Sequence, residues 1–147
     1  MLQRLQSLYL LIAALLLLPV HFFAIWTVSY GNLSNDDITN DKFLVSEHLL
    51  ADLPLLASIA ILVISIFLFK NYKLQRRVIE FGVGFMVMFG LACYYIIGNL
   101  KSPIYSIISQ DYQVVIILPL AAITLVVLAY LRILKDEALV KSLDRLI

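Results

Sequence analysis

Two histidines, His21 and His48, and the carboxylates near them are the residues whose chemistry could reach beyond packing. Neutral imidazole is a common ligand for zinc, copper and haem iron, and a carboxylate four residues from a histidine shares its face on a helix. His48 and Asp52 have that spacing, with Glu47 adjacent, and His21 lies toward the same end of the preceding apolar run. A site built from His21, His48 and Asp52 would make the chain a small haem- or metal-binding redox subunit. The plainer reading leaves His21 as a packing or interfacial residue and His48 solvated, since imidazole sites normally draw on more than two unlinked positions. On that reading no cofactor is expected. Cys93 is the only cysteine, so an intramolecular disulfide and a cysteine cluster are both excluded. Beside Tyr94 it reads as a small packing residue.

No glycine-rich phosphate loop, H-E-x-x-H pair or nucleophile elbow occurs, and no soluble stretch is long enough to hold a catalytic constellation. The expectation is therefore a protein that is not an enzyme. The 147 residues are 63% hydrophobic, with a mean hydropathy of +0.98, far above a soluble domain. Such a chain needs lipid around it. A net charge of +1 gives no reason to expect a nucleic-acid partner.

The charges fall in short gaps that separate four apolar runs, at about residues 8–28, 53–69, 78–98 and 114–134. The first, ~21 residues at about 1.5 Å each, covers roughly the 30 Å of a bilayer's hydrocarbon core. A cleaved signal peptide is the competing reading of that run. Cleavage after Ala24 would put bulky Phe22 where a small residue is wanted, so the run is read as an uncleaved span. Pro19 is expected to kink or loosen it. Residues 29–52 and 99–113 read as outer loops, the first turn-rich and acidic, with a short amphipathic helix over residues 43–50 lying at the interface. Pro54 is expected in the first turn of the second span. Gly82, Gly84 and Gly90 in the third span would allow close helix approach. No Asp, Glu, Lys or Arg sits at mid-depth of a span, which counts against a pump, channel or coupled transporter. An apolar site for a lipid or other hydrophobic molecule, between the glycine-rich third span and its neighbours, remains open.

Residues 70–77 form a basic connector whose Lys70, Lys73, Arg76 and Arg77 should stay cytoplasmic, near headgroups. Arg4, Arg132, Lys135, Lys141 and Arg145 fall on the same side, whereas only Lys42 and Lys101 fall opposite. Nine cations against two predict that both termini are cytoplasmic. The tail, residues 135–147, continues the last helix as an amphipathic extension. Its Leu139, Leu143 and Leu146 share a side, and Lys141 and Arg145 would meet headgroups or an acidic partner. Glu137 and Lys141 are spaced for an i,i+4 pair.

The opening Met1-Leu2-Gln3-Arg4-Leu5-Gln6, the basic connector and above all the tail Leu134-Lys135-Asp136-Glu137-Ala138-Leu139-Val140-Lys141-Ser142-Leu143-Asp144-Arg145-Leu146 resemble a family of short four-span membrane proteins of unknown function found in Bacteroidetes. The resemblance covers the whole length and implies a bacterial inner membrane, with no activity attached. The expected architecture is thus one all-α integral membrane domain over residues 1–147: four antiparallel transmembrane helices, N-in and C-in, with a cytoplasmic helical tail. The expected role is that of a non-enzymatic accessory, assembly or scaffold protein, in contact with the bilayer and with another inner-membrane protein or a second copy of itself.

Overall fold

The computed structural model describes residues 2–31, 38–69, 71–99 and 106–144. Four helices dominate: α1 (Leu2–Phe22), α2 (Leu49–Phe67), α3 (Tyr72–Asn99) and α4 (Ile117–Asp144). Each is long and apolar enough to cross a membrane. α3 and α4 have 28 residues apiece, about 42 Å at 1.5 Å per residue, so either exceeds a hydrocarbon core of roughly 30 Å.

The expectation of an all-α chain is corrected by a three-stranded antiparallel sheet, β1 (Trp26–Gly31), β2 (Ile38–Phe43) and β3 (Ser106–Tyr112), in the order β2-β1-β3. The first apolar run is not one helix to Val28. α1 makes its last turn over Pro19, where the Phe23 amide donates to the Pro19 carbonyl, and a strand follows from Trp26. Trp26 and Val28 are buried while Thr27 and Ser29 are only partly so, the period of two that a one-sided sheet requires. Aromatic and β-branched residues suit that surface, and hydropathy alone cannot tell them from the end of a helix. The amphipathic helix expected over residues 43–50 is replaced by the end of β2, one 3₁₀ turn (Val45–Glu47) and the start of α2. α2 therefore begins at Leu49, with His48 as its N-cap, and Pro54 falls in the second turn rather than the first.

The basic connector is mostly helix: the turn closes at Asn71 and α3 starts at Tyr72, carrying Lys73, Arg76 and Arg77 in its first turns. Lys70 lies outside the described residues. α4 runs unbroken from the apolar span into the tail as far as Asp144.

α1 packs on α2 and α4, α2 packs on α3, and α3 meets α4 along a looser seam. Each helix buries a stripe with 3- and 4-residue spacing, for example Leu10, Ala13, Leu17 and Val20 on α1, and Ala122, Val126, Ala129 and Ile133 on α4. Their outer faces, including Leu15, Ile64, Phe81, Leu91 and Leu128, stay apolar and exposed, as lipid-facing surfaces do. One end of the bundle is capped by the sheet, whose Trp26, Val28 and Phe43 are buried against it. Of the third-helix glycines only Gly82 brings helices close: a Cβ there would lie 3.2 Å from Ile61 Cγ2, whereas at Gly84, Gly90 and Gly98 it would meet nothing within 4 Å.

Candidate functional site

At the sheet end, the structure joins two of the three expected ligand residues to each other. His21 Nδ1–H donates to Asp52 Oδ1 at 2.6 Å, pinning the last turn of α1 to the first turn of α2. His48 instead stacks on Phe43, with ring centroids 4.9 Å apart and planes 22° from parallel. Among the described residues no three His, Cys, Asp or Glu side chains are grouped to hold a metal ion.

At the opposite end, each helix's buried stripe finishes in a polar residue: Gln6 on α1, Ser65 on α2, Gln75 on α3 and Asp136 with Glu137 on α4. The spacing explains the burial. Asp136 and Glu137 stand three and four residues beyond Ile133, in register with the core stripe, so the rotation that buries Ile133 also turns both acids inward. Buried polar groups need partners, and most of these have them, the Gln75 Oε1 being buried without one among the described residues. Gln6 Nε2 donates to Asp136 Oδ2, and Arg76 Nη1 donates to Glu137 Oε2 at 3.2 Å. Arg76 also lies 3.8 Å from Glu80, which accepts from the Tyr130 hydroxyl at 2.9 Å. Gln75 Nε2 donates to the Ser65 carbonyl at 3.1 Å. The Arg132 guanidinium lies over the Tyr9 ring, 5.8 Å from its centroid. The result is a polar clasp that joins all four helices at this end, with Arg76–Glu137 and Glu80–Tyr130 closing the α3–α4 seam.

The expected headgroup cations thus divide: Lys73 and Arg77 are exposed, and Arg76 is committed to the clasp. In the tail the polarity is the reverse of a solvated amphipathic helix. Asp136 and Glu137 are 9% and 8% exposed, while Leu139 is 57% and Val140 42% exposed. Glu137 pairs with Arg76 across the bundle. The side chains of Lys141 and Leu143, and all of Arg145 and Leu146, lie outside the described residues. Gln6, Asp136 and Glu137 were missed as a group in the sequence, although continuing the 3- and 4-residue stripe past the apolar residues would have found the two acids.

Between α3 and α4 at the sheet end lies a cleft of about 680 Å³, open on one side. Met86, Phe89, Gly90 and Cys93 form its α3 wall, and Pro119, Leu120 and Ile123 its α4 wall. Tyr94, Tyr95, Asn99 and Tyr112 stand at the mouth. No ionisable carboxylate, amine, guanidinium or imidazole lines it among the described residues. Both glycines in its lining, Gly90 and Gly98, are open toward it rather than packed under a neighbouring helix. A smaller gap of about 260 Å³, beside Val83, Val126 and Tyr130, follows the same seam toward the clasp. The α3–α4 seam thus holds two separate gaps and is tied by polar groups at one end. The larger, at about 680 Å³, falls within the ~300–1,000 Å³ of small-molecule pockets.

No curated protein matches the chain. A family model spanning residues 2–146 does match, and the chain belongs to the family described as Domain of unknown function (DUF4293).

Proposed function

We propose that the protein is a non-enzymatic component of a bacterial inner membrane that holds a hydrophobic molecule in the α3–α4 cleft. The observation that carries this reading is the cleft itself: an apolar space of about 680 Å³ beside unpacked Gly90 and Gly98, with tyrosines at its mouth. Well-packed helical seams leave few gaps larger than a water molecule, and this half-open cleft offers an amphiphile from the surrounding bilayer an apolar groove between two helices. The four long apolar helices support a multi-pass arrangement. The excess of Lys and Arg at the clasp end supports cytoplasmic termini, an orientation in which the sheet and the cleft mouth would face the outer side. The resemblance to Bacteroidetes proteins fits the same membrane. The test is native mass spectrometry of protein released from nanodiscs. Wild type should carry a bound amphiphile, Gly90→Phe should lose it by filling the cleft, and Gly84→Phe, on a separate face with Phe81 and Met88, should keep it. Equal occupancy in all three proteins would refute the reading.

A second reading, that of an accessory or assembly protein acting through its tail, is favoured by the inward turn of Asp136 and Glu137, which leaves Leu139 and Val140 outside. An exposed apolar pair on a helix that projects past the clasp suits contact with another inner-membrane protein.

A further inference from the structure

We propose that the molecule held in the α3–α4 cleft is a neutral amphiphile with a flat, hydrogen-bond-accepting head, of the quinone class, seated with its head at the tyrosine mouth and its tail running down between α3 and α4. The inference rests on the reading that the cleft holds a hydrophobic molecule, and adds which chemical class it admits.

Three features of the lining point to that class. The first is charge. The described lining has no cation to meet a phosphate and no carboxylate to meet an amine, so among the described residues an ionic headgroup would find no counter-charge. The second is shape. Tyr94, Tyr95, Tyr112 and Phe89 put four aromatic rings into the lining. Aromatic surfaces of this kind favour a planar ring over a branched glycerol head. The third is hydrogen bonding. Among the described residues the hydroxyls of Tyr94, Tyr95 and Tyr112 have no partner, whereas the Asn99 amide is already used, Nδ2 donating to the Tyr95 carbonyl at 3.0 Å. Phenol O–H donors match a head whose two carbonyl oxygens only accept. Below the mouth the walls are Met86, Leu120 and Ile123, apolar and without hydrogen-bonding groups, as an isoprenoid chain requires. A ring and the first units of its tail fit within about 680 Å³, and the remainder leaves through the open side.

The chain supplies its own reporter. Trp26 is the only tryptophan, is buried, and in the β1–β3 ladder stands opposite Tyr112, which lines the mouth. A quinone in the cleft will quench its fluorescence. The experiment titrates a decyl-substituted ubiquinone analogue into the full-length protein in detergent. Wild type and Gly84→Phe should show saturable quenching. Gly90→Phe should weaken the apparent affinity at least tenfold, and the triple variant Tyr94→Phe, Tyr95→Phe, Tyr112→Phe, which keeps the rings and removes the donors, should weaken it about tenfold. The triple variant leaves the cleft volume unchanged, so the proposal stays testable even if Gly90→Phe folds poorly. Linear quenching, equal in every variant, would mean partition into the micelle and would overturn the quinone assignment. In that event the native mass spectra separate the two ideas. A phospholipid or diacylglycerol lost only from Gly90→Phe would leave the cleft reading standing with a different occupant, and no loss of any amphiphile would overturn both.

Discussion

Arg76 offers the sharpest test of what holds the α3–α4 seam. Its guanidinium reaches Glu137 on α4 at 3.2 Å and Glu80 one turn along its own helix at 3.8 Å. Glu137 is nearly buried, with its side chain 11% exposed, and Arg76 is one-third exposed. A fully buried pair that loses one member costs about 3–5 kcal/mol, and a surface pair contributes roughly 0–1 kcal/mol. This pair lies between those limits, so Arg76→Leu should destabilise by about 2 kcal/mol. Glu137→Leu should cost a similar amount, because among the described residues it leaves the guanidinium with the longer, exposed contact to Glu80. The double variant places two apolar side chains against each other and removes both charges, so its loss should be clearly less than the sum of the single losses. Equilibrium unfolding in mixed dodecylmaltoside and SDS micelles measures all four corners of the cycle. A coupling of at least ~1 kcal/mol is expected, in the range found for residues in direct contact. Arg77→Leu, an exposed neighbour one residue along, is the control and should change stability by less than about 0.5 kcal/mol. Coupling indistinguishable from zero, or an effect of Arg77→Leu as large as that of Arg76→Leu, would refute the clasp.

Topology can be read with reporters fused after Ile147 and inserted beside Asn35: the first should respond as cytoplasmic and the second as external, and a periplasmic C-terminus would reverse the assignment of the cleft mouth. The glycine contacts predict opposite signs, since Gly82→Ala must push Ile61 aside and should lower the melting temperature in detergent, while Gly84→Ala meets nothing and should gain up to about 1 kcal/mol of helix propensity. If the tail carries the function, Leu139→Ser with Val140→Ser should abolish complementation of a deletion strain while leaving the melting temperature unchanged. Removing residues 135–147 would not separate these effects, because it also deletes Asp136 and Glu137 from the clasp.

The four helices were legible in the amino-acid sequence because the length and hydropathy of a span are properties of contiguous residues, and the unbroken passage of α4 into the tail follows from the same local pattern. Tertiary structure decided the rest, for physical reasons that differ from residue to residue. The sheet depends on pairing Trp26 with Phe43 on one side and Tyr112 on the other, contacts between segments far apart in the chain whose own composition reads equally well as helix end or loop. His21 and Asp52 were both singled out as ligands, and only the packing of α1 on α2 shows that His21 Nδ1 and Asp52 Oδ1 meet each other. The cleft was foreseen only as a space beside the glycine-rich helix, since glycine permits either close approach or a gap, and the neighbouring side chains choose: Ile61 fills the space at Gly82, and nothing fills it at Gly90. The buried acids of α4 are the clearest case, because composition marks Asp136 and Glu137 as solvent-facing. It is the rotation of α4, set by Ala122, Val126, Ala129 and Ile133 seeking the core, that turns them inward to Gln6 and Arg76 and leaves Leu139 outside.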